Sequence, residues 1–266
     1  MKKSAAPAFS TQTLEFLKKA QRTKSTTWLE KNRTEYEKLV LHPLKHLAES
    51  LKKDLMLEAR DYHFPQKGIG RLKRPAHRAA EYGSLYKDYI SYSASRPAES
   101  RFDHNPNLFF LIYPRDKDDP VLLAGGLYVP SSRQVRAIRE AIATDASAFE
   151  KLFASKEFTR LFGKGFSNEK ISSRPPRGFD PNHPRMNWLR LQAFFVWRPY
   201  TVREFTSRDF SKLVSRDCKQ ILRLNELLDK ALQGRLPSVT KTKAVKSSGL
   251  LARLEDITPV RREMDF

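Results

Sequence analysis

A single cysteine, Cys218, stands in a chain of 266 residues. That excludes an internal disulfide, and no CxxC or Cys/His zinc spacing is present. His42 and His46 are four apart, but Pro43 lies between them and no acidic third ligand has a diagnostic spacing, so no metal site is expected. Glycine is scarce, at 10 residues. Its one notable pair, Gly125-Gly126, lacks the GxxxxGK[ST] spacing of a phosphate loop. GxSxG, HExxH and paired-carboxylate signatures are also missing, so no cofactor and no familiar catalytic class is indicated. Apolar runs are strand-sized, which predicts no transmembrane segment. The opening MKKSAAPAFS has two lysines but no apolar core, so it does not read as a signal peptide. A cytoplasmic location is the resulting expectation.

Acidic residues are also in short supply. Fifty Lys+Arg face 30 Asp+Glu, giving a formal charge of +20 and a pI near 10.1. Such an excess favours polyanions: nucleic acid, an anionic membrane surface or a phosphorylated ligand. Net charge does not say whether the cations cluster or spread over a solvated surface. Aromatic residues are plentiful, with 17 Phe, 9 Tyr and 3 Trp to fill a core.

The chain divides by pattern into a basic leader (1–8), one domain (9–234) and a basic, flexible tail (235–266). Ser10 precedes Leu14, Phe16 and Leu17 at helical spacing and reads as a cap. A second helix carries Trp28, Leu29, Tyr36 and Val40. Pro43 should interrupt it, and Leu44, Leu47, Leu51 and Leu55 continue the apolar stripe. The spacing predicts a kinked helix, or two in succession, ending near Leu57. Lys73 to Tyr82, with Pro75 inside it, reads as loop. Strands are expected from Gly68 to Leu72, Leu85 to Ser93, Leu108 to Tyr113, Val121 to Val129 and Leu191 to Trp197. Leu108–Tyr113 and Val121–Val129 are joined by a polar PRDKDDP link, as in an antiparallel hairpin. Ser131 or Ser132 caps a helix with Val135, Ile138 and Ile142, and a long last helix over Ser207–Leu232 stops at Gly234. This order predicts an α+β fold, with a mainly antiparallel sheet flanked by N-terminal helices and a long C-terminal helix.

Glycine inside a strand marks a bulge, a close backbone or a ligand. Gly125-Gly126 lies just before the Ser131-Ser132 cap, whose helix start offers free N–H groups to an anion. Arg136 and Arg139 ride on that helix, and Arg71, Lys73, Arg74 and Lys87 add charge upstream. Pairing of the Arg71 and Lys87 strands with the Gly125 strand would gather these cations over the glycines. The alternative is a bulge beside an ordinary capped helix, with a solvated basic face. Asp180 and His183 share a Gly-Pro-rich loop, where they either form an acid–base pair or shape the turn.

Several segments together resemble one family. They are Phe9–Leu17 (FSTQTLEFL), Trp28–Tyr36 with Pro43, Leu85-Tyr86-Lys87, Gly125-Gly126-Leu127-Tyr128 with Pro130, Arg139 and Ile142, and Arg177–Pro184 (RGFDPNHP). In this order, from Phe9 to Leu232, they resemble the domain of unknown function 2461 family, conserved hypothetical proteins of bacteria and fungi. The resemblance implies one α+β domain and no established activity. Leu85 stands where the family has proline, and Ala124 where it has a third glycine.

Three functional readings stay open. The first is an anion-binding domain, taking a phosphate- or carboxylate-bearing ligand among Arg71, Tyr86, Lys87, Gly125, Gly126 and Arg139, with Tyr128 as a wall. The second is diffuse association with nucleic acid through net charge and tail. The third is an enzyme using His183 and Asp180.

Overall fold

The computed structural model describes residues 8–66, 69, 71–97, 103–114 and 118–238. Nearly all of the expected leader and tail lies outside these residues, as do parts of the Gly68–Leu72 segment.

Helix α1 (Thr11–Arg22) starts after Ser10, whose N–H donates to Thr13 Oγ1 at 3.1 Å. Phe9 just before it is buried and stacks on Phe205 at 4.7 Å between centroids. Two short turns, α2 (Trp28–Lys31) and α3 (Arg33–Tyr36), lead into a π-helical turn, Glu37–Leu41, and then α4 (His42–Asp54). The π turn has a local cause. Pro43 has no N–H, so the Leu39 carbonyl, four residues earlier, loses its α-helical donor. The helix widens there, and the buried Thr13 hydroxyl donates to Leu39 O at 2.8 Å. The interruption expected at Pro43 is thus a bulge sealed by a neighbouring helix. Beyond it, Leu44, Leu47, Leu51 and Leu55 are buried as one stripe.

The Lys73–Tyr82 segment differs from the expected loop: Ala76–Tyr82 forms α5. Pro75 occupies its N-cap, where a missing N–H costs nothing. The proline therefore starts this helix rather than preventing it.

Strands β1 (Ile90–Ser95), β2 (Asn107–Ile112), β3 (Val121–Leu127) and β4 (Phe194–Tyr200) form one antiparallel sheet in the order β1-β2-β3-β4. Between β3 and β4 run α6 (Ser132–Thr144), α7 (Ser147–Phe153), α8 (Lys156–Phe162) and the single turn α9 (Met186–Leu189). A second single turn, α10 (Val202–Phe205), and the long α11 (Phe210–Leu232) follow β4. The architecture is α+β, with N-terminal helices, a four-stranded antiparallel sheet and a long C-terminal helix.

Helix α11 packs against β3, β2, α4, α6 and α7. Val214, Cys218, Ile221 and Leu228 are fully buried along one side. Burying each of the larger apolar side chains contributes about 1.5–3 kcal/mol. Asn225 lies in the same row; its Nδ2 donates to Tyr62 Oη and to Asn107 O, each at 3.0 Å, while its Oδ1 is buried with no partner among the described residues. On the sheet side facing α11 lie Leu108, Phe110, Leu123, Leu127 and Val196, all in the main core. Alternation puts Phe109, Leu111, Leu122, Ala124, Phe195 and Trp197 on the other side. On that side Leu111, Leu122 and Phe195 are buried, while Phe109, Ala124 and Trp197 are partly buried.

Candidate functional site

The upstream cations are organised by a short antiparallel pairing. Lys73 bridges Tyr86, Arg74 N donates to Leu85 O and Lys87 N to Leu72 O, both at 2.9 Å. Leu72 and Tyr86 are buried and anchor the pair. Tyr86 is a tie to the N-terminal helices: its hydroxyl donates to Ser25 O at 3.0 Å and accepts from Leu29 N at 3.3 Å. Lys73 Nζ joins the same loop through Thr26 O at 2.9 Å.

Arg74, Asp88 and Lys87 bring charge together on this pairing. The Arg74 guanidinium lies 4.5 Å from the centroid of the Tyr82 ring and 3.3 Å from Asp88 Oδ1. Its side chain is only 10% exposed, and its Nε is buried with no hydrogen-bond partner among the described residues. Lys87 Nζ stands 5.4 Å over the Tyr89 ring. Burial, and then the nearby Arg74 and Arg71 guanidinium groups, hold the Lys87 ammonium below its ordinary pKa. Arg71 itself is exposed. Positive charge is therefore held together here at a cost, which an anion would relieve.

The glycine pair lies elsewhere. Gly125 and Gly126 pair with β2 and β4, not with the Arg71 or Lys87 segments. An added Cβ at Gly125 would lie 1.9 Å from Ile221 Cγ2 of α11 and 2.8 Å from Asn107 O. Gly126 has φ +115°, and a Cβ there would lie 2.3 Å from Phe194 O. Close approach by a helix and a strand accounts for both glycines.

The start of α6 is occupied by the chain itself. Ser131 Oγ accepts from Gln134 N at 3.3 Å, and Gln134 Oε1 accepts from Ser131 N at 3.0 Å, a capping box. Asp103 accepts from Ser131 Oγ at 2.9 Å and pairs with Arg133. The anion at this helix end is an internal carboxylate, lowered in pKa first by the Ser131 hydroxyl and then by Arg133.

Arg139 and Tyr128 fall beside a second group that sequence reading passed over. Arg139 Nη2 donates to Leu191 O at 2.9 Å, and its Nε is buried without a partner among the described residues. Leu191 bridges Ile171. One residue earlier, Lys170 Nζ sits 3.5 Å from the Tyr128 ring centroid and donates to Tyr128 O at 3.3 Å. Desolvation raises the Glu169 carboxyl above its ordinary pKa, and the Ser167 hydroxyl lies 3.3 Å from its Oε1. Nothing in the spacing of Glu169 and Lys170 signals this position; it follows from the bridge. The seven sequence-derived residues thus sort into a cationic corner (Arg71, Tyr86, Lys87), a helix-packing strand (Gly125, Gly126), Tyr128 under the Lys170 ammonium, and Arg139 at the Leu191 carbonyl.

Asp180 and His183 form a turn. Asp180 Oδ1 accepts from Asn182 N at 2.9 Å, and His183 Nδ1 accepts from Arg185 N at 3.1 Å. His183 Nε2 lies 3.3 Å from Ala143 O, which fixes it as the protonated nitrogen. The two side chains serve the backbone rather than each other. Buried Asp217 is likewise saturated, by Arg198, Tyr200 and Arg216. Among the described residues no group of three His, Cys, Asp or Glu is placed to hold a metal, and no helix is long and apolar enough to cross a membrane.

Comparison with known proteins finds no match among curated proteins and none among solved structures. One family model, described as a conserved hypothetical protein (DUF2461), matches residues 12–226. That span runs from the first turn of α1 into α11 and takes in the cationic corner, the glycine strand and the His183 turn, so the chain belongs to the DUF2461 family.

Proposed function

We propose that the protein binds an anionic group, phosphate- or carboxylate-bearing, at the corner formed by Arg71, Arg74 and Lys87. The observation that carries this reading is the nearly buried Arg74, whose Nε is unpartnered among the described residues, beside a Lys87 whose charged form is disfavoured first by burial and then by the Arg74 and Arg71 guanidinium groups. A guanidinium takes phosphate or carboxylate through paired N–H bonds, and a lysine adds a movable point charge. Arg74 is pre-ordered by Tyr82 and Asp88, so little rotamer freedom is lost on binding.

Calorimetric titration with pyrophosphate and with citrate tests this and separates the two ligand chemistries. Lys87→Gln and Arg71→Gln should each weaken binding about ten- to a hundredfold, the range for a hydrogen bond to a charged group. Affinity unchanged in both variants would refute the site. A matching loss in Arg139→Ala would extend the same site to α6.

A further inference from the structure

The segment that joins the two halves of the cationic corner is built unlike the rest of the fold. Arg74 N donates to Leu85 O and Lys87 N to Leu72 O, so both ends of residues 75–84 stand on one fixed base. Between those ends α5 has no buried residue. Its Arg78–Glu81 ion pair stays within the helix. Among the described residues, no hydrogen bond or ion pair ties an α5 side chain to another segment, and one ring contact does, Tyr82 on the Arg74 guanidinium. Pro75 and the left-handed Gly83, with φ 60°, bound the helix. No atom lies within 4 Å of where a Gly83 Cβ would be. A helix this short is marginal in water without a buried face, and elements with few buried contacts open at the least cost. Arg74 is nonetheless covered, with a buried Nε. An anion arriving from solvent therefore meets a shielded guanidinium beside the loosest helix on the corner.

We propose that α5 is a lid: it pivots at Pro75 and Gly83, is latched by Tyr82 on Arg74, lifts to admit an anion and recloses over it. The proposal rests on the anion-binding reading of the Arg71–Arg74–Lys87 corner and adds its gate. Hinges of such lids are a few positions at element ends that absorb the backbone change. A ring on a guanidinium is a weak tie. It keeps Arg74 ordered and covered, and it breaks without disturbing the sheet or α11. Reclosure excludes water and so strengthens the attraction between the corner and the anion beneath.

Arginine footprinting with phenylglyoxal, read by peptide mass spectrometry on the full chain, tests the lid. In the wild type Arg74 should react far more slowly than the exposed Arg71, and α5 amides should exchange hydrogen faster than those of α11. Tyr82→Ala should raise the Arg74 rate about fivefold to thirtyfold by removing the latch. Gly83→Ala separates a lid from a fixed cover, because its methyl meets open space and penalises only the left-handed end of the closed helix. It should raise the Arg74 rate by a similar factor, about fivefold to thirtyfold, with the thermal midpoint unchanged. Saturating pyrophosphate should slow both Arg74 modification and α5 exchange in the wild type. Equal Arg74 rates in wild type and Gly83→Ala would overturn the lid, as would α5 amides protected as strongly as those of α11. If pyrophosphate still shields Arg74 in that case, the anion site stands without a gate. If both variants expose Arg74 but pyrophosphate shields it in none, the anion-binding reading itself fails and the lid has nothing to admit.

Discussion

Gly125→Ala is the sharpest perturbation the fold offers, because a single methyl group separates two explanations of the glycine. The new Cβ would lie 1.9 Å from Ile221 Cγ2, 3.2 Å from Ile221 Cβ and 2.8 Å from Asn107 O. Comfortable carbon contacts begin near 3.5 Å. Neither obstacle yields easily. Ile221 is fully buried on α11, and Asn107 O is fixed by Asn225 as well as by the β2–β3 register. Overpacking costs typically about 1–3 kcal/mol, and more when backbone must move; about 3 kcal/mol or more is expected here. Ile221→Leu removes the Cγ2 branch at nearly constant volume and should cost under about 1.5 kcal/mol by itself. Combined with Gly125→Ala it should recover at least about 1 kcal/mol, appearing as coupling in a double-mutant cycle. The part due to Asn107 O should remain. Urea unfolding followed by circular dichroism reads these values as midpoint shifts at constant m. If Gly125→Ala is as stable as wild type but binds pyrophosphate more weakly, the glycine makes room for a ligand and the helix-packing argument is wrong. Strict additivity with Ile221→Leu would also refute it.

Two further outcomes are expected. Thr13→Val should cost about 1–3 kcal/mol by orphaning the buried Leu39 carbonyl; the loss should shrink in a Pro43→Ala background, where a backbone N–H returns, and an equal loss in both backgrounds would disprove the account of the π turn. Cys218 is fully buried, and burial and then Asp217 push its thiol far above the ordinary range, so an aromatic disulfide reagent should label it only as fast as the protein opens; fast labelling of the native protein would contradict its placement.

Hydrophobic period carried most of the fold into view. The apolar runs at Leu108–Tyr113 and Val121–Val129 are β2 and β3, and the Phe210–Leu232 stripe is α11. What escaped was set by tertiary context. Pro75 carries the same local signal whether it breaks a helix or precedes one, and only the α5 backbone distinguishes them. A glycine in a strand reports that something comes close, but not whether it is a ligand or Ile221. Net charge could not reveal that Arg74, rather than Arg139, is the neighbour of Lys87, because that depends on the Lys73–Tyr86 bridge. Lys170 reaches Tyr128 across 42 positions of sequence, which leaves no mark in local composition.

Since α11 holds the sheet, α4, α6 and α7 together and is the last helix to be synthesised among the described residues, the order of translation constrains how the chain matures. Until that helix leaves the ribosome, the meander is a set of strands with one apolar surface open to solvent. Chaperone demand should thus concentrate late in synthesis, and stop codons falling between β4 and Leu232 should yield species prone to aggregation rather than shortened but folded proteins.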